Sequence, residues 1–159
     1  MKRDQNILLV DDERELRTLV AERLGIEGYN VLEADRVNDA LRIMSHSHFD
    51  LLLLDVMLPD GTGLDVLRFM KDRGIKIPVI MLTGASGLEV AVESVKLGAR
   101  DYVTKPAKIP YLLHSIKELL SGESIERDQF TTVIRPRCPD GINWNPIIAA
   151  PNLRLPAAE

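Results

Sequence analysis

Five residues far apart in a 159-residue chain stand at the ends of short apolar runs: Asp11, Asp12, Asp55, Thr83 and Lys105. Gathered in one place they would offer three carboxylates, a hydroxyl and an ammonium. Crowded carboxylates repel one another and resist full ionisation unless a cation neutralises them. A few hard oxygen ligands with room left for water suit Mg²⁺ better than Zn²⁺. A phosphoryl group transferring to a carboxylate spreads negative charge over its oxygens, so catalysis rests on positioning and electrostatic stabilisation. A cation, the Lys105 ammonium and the Thr83 hydroxyl are the partners that charge requires. Asp55 is the candidate nucleophile, because it closes the most apolar run, Leu51-Leu52-Leu53-Leu54, and carboxylates form acyl phosphates in enzymes. Taken singly, each residue has a plainer reading. An Asp after a strand is a favoured helix N-cap or turn residue, and a Lys before Pro is commonly a surface lysine. The coincidence of four strand ends, each with a fitting polar group, favours a site.

A parallel sheet would position these groups. Asn6–Val10, Leu51–Leu54, Val79–Leu82 and Asp101–Thr104 are each apolar enough for a buried strand. Helix-like segments separate them, so the chain reads as repeated strand–helix units. The strands then point one way, and the residues just beyond them share the edge where open α/β sheets bind ligands. Helices are expected over about 13–24, with Leu16, Leu19, Val20 and Leu24 on one face, and over 37–47, burying Ala40, Leu41 and Met44. Tyr29–Leu32 is the second strand, after Gly25 and Gly28. A third helix over 64–73 stops at Gly74, and a last one over 109–121 carries Leu112, Leu113, Ile116, Leu119 and Leu120 as its apolar residues. Ser86 with Glu89 reads as a capping box for the helix carrying Leu88, Ala91, Val92 and Val95. Pro59-Asp60-Gly61 is turn chemistry. Gly61-Thr62-Gly63 lacks the lysine and helix context of a phosphate-binding loop and reads as a flexible turn. His46 and His48, two apart on a helix, do not share a face, and His114 with Glu118 is a surface pair without a third ligand.

In the stretches ILLVDDERELR, DLLLLDVMLPDGTGLDVL, PVIMLTG and KLGARDYVTKPA, taken in order, the chain resembles a receiver domain of the two-component response-regulator family over roughly residues 5–121. The resemblance implies an α/β, flavodoxin-like fold: a doubly wound five-stranded parallel sheet of order 2-1-3-4-5 with five helices. By the same resemblance Asp55 is the phosphoacceptor, and Asp11, Asp12 and Asp55 hold Mg²⁺ with the backbone carbonyl of Met57. Thr83 and Lys105 match the family's switch hydroxyl and phosphoryl-binding lysine, and Tyr102 its switch aromatic. Lys105–Pro106 matches a bond usually cis in the family, and Met57 and Ala85 match positions flanking the phosphoryl group. The implied function is a phosphorylation-activated signalling switch that takes its phosphoryl group from a sensor histidine kinase or a phosphotransfer protein. It would be no enzyme beyond self-phosphorylation from a donor and self-dephosphorylation. A phosphorylation-dependent homodimer through the fourth helix, fifth strand and fifth helix is the implied output. The stretch AVESVKLGARDYVTKP resembles receivers that precede ATPase or DNA-binding effectors. Two rivals stand beside this reading. A Mg²⁺-dependent phosphohydrolase of the haloacid-dehalogenase type would want an Asp two residues after its nucleophile, where this chain has Met57. A phosphorylation-independent receiver-like scaffold would not need the full acidic set.

A formal net charge of −4 and a pI near 5.4 give no electrostatic reason to expect nucleic acid as a partner of this chain itself. The single cysteine, Cys138, excludes an internal disulfide and suits a reducing cytoplasm. Met1-Lys2-Arg3-Asp4 leads straight into a strand too short for a signal peptide, and no apolar run approaches the ~18 residues of a membrane span. A cytoplasmic location without a membrane partner is therefore expected. The domain is read as residues 1–121, and 122–159 as an irregular Pro-rich tail holding five of the nine prolines, Trp144 and Cys138. Within it Phe130–Ile134 could form one strand. The tail is either a linker with the stump of a truncated or foreign segment, or an arm that packs on the receiver or a second copy through Phe130, Trp144, Ile147 and Ile148.

Overall fold

Alternating side chains along the strands build two cores, one on each face of a single sheet. The computed structural model describes residues 4–84 and 88–121. Among these, β1 (Asn6–Val10), β2 (Asn30–Ala34), β3 (Leu51–Asp55), β4 (Val79–Thr83) and β5 (Asp101–Thr104) form a parallel sheet in the order β2-β1-β3-β4-β5. The helices are α1 (Arg14–Ile26), α2 (Val37–His46), α3 (Gly63–Arg73), α4 (Leu88–Lys96) and α5 (Ile109–Leu120). Leu8, Val10, Leu52, Leu54, Met81 and Tyr102 meet Ala40 and Met44 of α2, Leu67 and Met70 of α3, and Ala91 of α4. Ile7, Leu9, Leu51, Leu53, Ile80 and Val103 meet Val20 and Leu24 of α1 with Leu112 and Ile116 of α5. A strand covered on both faces needs no polar side, which is why Leu51–Leu54 is unbroken leucine with every side chain fully buried. Each such leucine contributes about 1.5–3 kcal/mol of burial. Strand order reverses between β1 and β3, so their C-terminal ends open a crevice at the sheet edge.

Among the described residues the expected elements are present, with five local differences, the first being that Leu41 of α2 is only partly buried beside the core rather than inside it. Helix α1 runs on to Ile26 before Gly28, at φ +92°, turns the chain, so β2 starts one residue later than expected and extends to Ala34. Leu19 is 48% exposed, because Val20 and Leu24 already fill the seam over the sheet. In α4 the buried positions are Ala91 and Ser94, with Val90 and Leu97 packed beside them, whereas Val92 and Val95 stay half-buried. Small residues let α4 approach the sheet, and the Ser94 hydroxyl is satisfied by the Val90 carbonyl at 2.7 Å. Gly61–Thr62 is ordered: it pairs antiparallel with Met57–Leu58, and Thr62 caps α3 in a reciprocal capping box with Asp65. The expected Ser86–Glu89 capping box, Ala85, and the tail with Phe130, Cys138, Trp144, Ile147 and Ile148 lie outside the described residues in whole or in part. Among the described residues no helix is long and apolar enough to cross a membrane.

Candidate functional site

The crevice gathers Asp11 and Asp12 just past β1, Asp55 at the end of β3 and Lys105 just past β5. Asp11 is fully buried and Asp55 is 4% exposed, while Asp12 is open to solvent. Carboxylate oxygens of the three aspartates all lie within 4.8 Å of one another. Lys105 Nζ reaches between the buried pair, 2.8 Å from Asp11 Oδ2 and 2.9 Å from Asp55 Oδ2, with Glu13 Oε2 at 3.8 Å. Local backbone fixes each carboxylate. The Glu13 N–H donates to Asp11 Oδ1 at 2.8 Å, and the Met57 N–H to Asp55 Oδ1 at 3.3 Å.

Thr83 is fully buried at the end of β4. Asp55 is in register with Leu82, which puts Thr83 one step beyond Asp55 on the neighbouring strand. The Thr83 carbonyl accepts the Lys105 N–H at 2.9 Å, so the residue carrying the hydroxyl also aims the lysine. The Lys105–Pro106 bond is cis. Tyr102 is 4% exposed and packs into the α2–α3–α4 core. Met57 is 59% exposed on the rim. His46 and His48 are exposed, and His114 pairs with Glu118 at 2.9 Å on the surface of α5.

Burial pushes the Asp55 carboxyl above the usual carboxylate range; the Lys105 hydrogen bond opposes this and the Asp11 charge adds to it. Burial alone would pull the Lys105 ammonium down, but its close ion pair with Asp11 and its hydrogen bond and attraction to Asp55 more than offset that, and it sits above an ordinary lysine. Three acids therefore face one ammonium. Although Lys105 is 2.8 Å away, Asp11 Oδ2 receives no well-aligned hydrogen bond, and it is buried. An under-satisfied buried oxygen beside two further hard carboxylates fits a small divalent cation such as Mg²⁺.

Two residues that support the site have no obvious sequence signal. Gly63 begins α3 directly against β3, where a Cβ would stand 2.3 Å from the Asp55 carbonyl oxygen. Its N–H donates to the Val56 carbonyl at 2.8 Å, locking helix to strand behind the acidic cluster. Arg17 Nη1 donates to the Asp11 carbonyl at 2.7 Å, a contact that only packing of α1 against β1 creates.

The family model for the response regulator receiver domain matches residues 7–117. The transcriptional regulatory protein CpxR of Klebsiella pneumoniae is 42% identical over 126 residues, 79% of this chain and 53% of the relative. Among solved structures, the CheY-like receiver domain of Methanospirillum hungatei is 34% identical with a TM-score of 0.72, covering 75% of this chain and 95% of that one. A Burkholderia pseudomallei response regulator, solved with a phosphorylated aspartic acid, calcium ion and citrate, is 28% identical with a TM-score of 0.66, over 78% of this chain and 75% of that one. The chain spans from 28% to 57% of the lengths of the first curated relatives it matches. With the doubly wound sheet and the acidic crevice at its edge, the match over residues 7–117 makes this chain a member of the response regulator receiver domain family of two-component systems.

Proposed function

We propose that Asp55 accepts a phosphoryl group from the phosphohistidine of a sensor kinase or phosphotransfer protein, and that the chain acts as a phosphorylation-activated switch. The observation that carries this reading is the convergence of strand ends on one ammonium, with Lys105 at 2.8 Å from Asp11 and 2.9 Å from Asp55. In the transfer an Asp55 carboxylate oxygen attacks phosphorus, the P–N bond of the donor breaks and the imidazole leaves. Lys105 then shares its charge with the new phosphoryl oxygens, and the Thr83 hydroxyl donates to one of them. Asp11, Asp12, Asp55 and the Met57 carbonyl would hold Mg²⁺, which when bound supplies the positive charge that neutralises both the acids and the phosphoryl oxygens. The phosphorylated aspartic acid of the Burkholderia pseudomallei relative supports the same chemistry here.

The switch runs from Thr83 to Tyr102. A Thr83 hydroxyl drawn towards a phosphoryl oxygen leaves room into which the buried Tyr102 ring turns, altering the face formed by α4, β5 and α5. That face then joins a second copy. The unit that performs this is residues 1–121, with 122–159 a linker or tail. The test is incubation with acetyl phosphate and Mg²⁺ followed by intact mass. The native chain gains one phosphoryl group, chelation of Mg²⁺ abolishes the gain, and Asp55→Asn gains none. An Asp55→Asn protein labelled at the native rate would remove Asp55 from its role.

A further inference from the structure

Arg17, in the first turn of α1, lies in a cleft of about 300 Å³ bounded by Glu33, Ala34, Asp39 and Arg42. Only 17% of its side chain is exposed. Its two ends are held: Nη1 donates to the Asp11 carbonyl at 2.7 Å, and Nε to Glu33 Oε1 of β2 at 3.2 Å. The rest of Asp11 is fixed by other means. Its N–H donates to the Ala34 carbonyl at 3.1 Å, its Oδ1 accepts from Glu13 and its Oδ2 faces Lys105. The carbonyl is therefore the group whose direction Arg17 alone sets among these contacts. That carbonyl belongs to the peptide joining Asp11 to Asp12. Asp12 is exposed, so packing does not hold it, and the direction in which it leaves the strand follows from that peptide plane.

We propose that Arg17 is a positioning residue for the cation site: braced against Glu33, it fixes the Asp11–Asp12 peptide so that the Asp12 carboxylate converges with Asp11 and Asp55. The inference rests on the cation reading of those three acids. Positioning and simple electrostatics predict opposite signs. Arg17 is a fixed positive charge close to the acidic cluster, so its removal should tighten cation binding if charge were all that mattered. Outer partners that orient ligands act the other way, and losing one weakens metal affinity by roughly 10–100-fold. Lysine cannot replace the planar fork, because one ammonium on a flexible stem does not bridge two acceptors in fixed geometry.

The experiment titrates the full unphosphorylated chain with Mn²⁺, following the free ion by electron paramagnetic resonance, with Mg²⁺ competition and a urea unfolding curve for each variant. Arg17→Met should raise the Mn²⁺ dissociation constant about tenfold while the protein stays folded. Arg17→Lys, which keeps the charge, should fall between Arg17→Met and the native chain. Glu33→Ala, at a half-exposed edge-strand position, removes the brace and should weaken binding by a few fold relative to Glu33→Gln, which loses the same charge but keeps an acceptor for Arg17 Nε, even if Arg17→Met does not fold. Native or tighter affinity in a folded Arg17→Met protein, or binding by Glu33→Ala no weaker than by Glu33→Gln, overturns the proposal. A native chain that takes up neither ion overturns the cation reading itself, and Arg17's role with it.

Discussion

Replacing Gly63 by alanine inserts one methyl where α3 meets the strand that carries Asp55. The added Cβ would lie 2.3 Å from the Asp55 carbonyl oxygen, 3.1 Å from Leu54 Cγ and 3.2 Å from the Asp55 carbonyl carbon. The obstacle at the closest point is backbone in a central strand, so no rotamer change relieves it. Helix and strand must part by several tenths of an ångström. Overpacking of this kind costs about 1–3 kcal/mol. Stretching the 2.8 Å hydrogen bond from Gly63 N–H to the Val56 carbonyl adds about 1 kcal/mol. Alanine's better helix propensity returns up to about 1 kcal/mol. The net expectation is about 2–3 kcal/mol of lost stability. In urea, with a slope of about 1–3 kcal/mol per molar, the midpoint should fall by roughly 1 M or more at unchanged slope. Gly25→Ala is the control: it lies in α1 with nothing within 4 Å of the added Cβ and should gain about 0.5–1 kcal/mol. Because Asp55 moves with its own carbonyl, acetyl-phosphate labelling of the folded Gly63→Ala protein should also slow. A Gly63→Ala midpoint equal to the native one would refute the close-approach reasoning.

Lys105→Met leaves buried Asp11 and Asp55 facing each other without their cation, so unfolding without Mg²⁺ should show a loss of about 3 kcal/mol. Equal midpoints for native and variant would show that the pair is already neutral. Asp60 is held below the usual carboxylate range chiefly by the Asn38 N–H, with the Val37 N–H also accepted, against a smaller cost of burial. A depressed folded value gives stability that is complete above the ordinary Asp value of about 3.9 and is lost as pH falls through the lowered one. The stability gap between native and Asp60→Ala proteins should therefore be flat near neutral pH and close under acid; a gap independent of pH contradicts this. Thr83→Ala should still be labelled but lose most of the mass increase that a beryllofluoride mimic produces in light scattering, and a full increase would separate Thr83 from the switch. Met57 offers no base or amide to orient water, so acid-quenched phosphoprotein should persist for minutes after donor removal; decay within seconds counts against that.

Much of the sheet could be read along the chain because burial on both faces leaves a local mark. Strands such as Leu51–Leu54 and Val79–Leu82 carry no polar residue before their last position, so Asp55 and Thr83 announce strand ends by breaking an apolar run, while Lys105 follows the shorter, mixed strand Asp101–Thr104. Strands that all run one way must bring those ends to one edge, so the acidic crevice follows once the order is parallel. What could not be read locally depends on which surfaces meet. Asp60 looks like a turn residue, yet its carboxylate accepts from Val37 and Asn38 at 2.6 and 2.9 Å and caps a helix that begins 23 residues earlier in the chain. Gly63 looks like a flexible-loop glycine until α3 is laid against the Asp55 carbonyl. Arg17 looks like any exposed helix arginine until β2 brings Glu33 beside it. The same holds for Leu19, apolar yet 48% exposed, and for Ser94, polar yet 1% exposed. Periodicity of 2 or 3.6 states which side of an element is apolar, whereas the depth of each side chain is set by how closely neighbouring elements approach. Residue types and local spacing therefore determined the strands, the helices and the membership of the acidic site. The braces that hold that site in shape, Arg17 between the Asp11 carbonyl and Glu33 and Gly63 against the Asp55 carbonyl, are contacts between different elements, and only tertiary packing decided them.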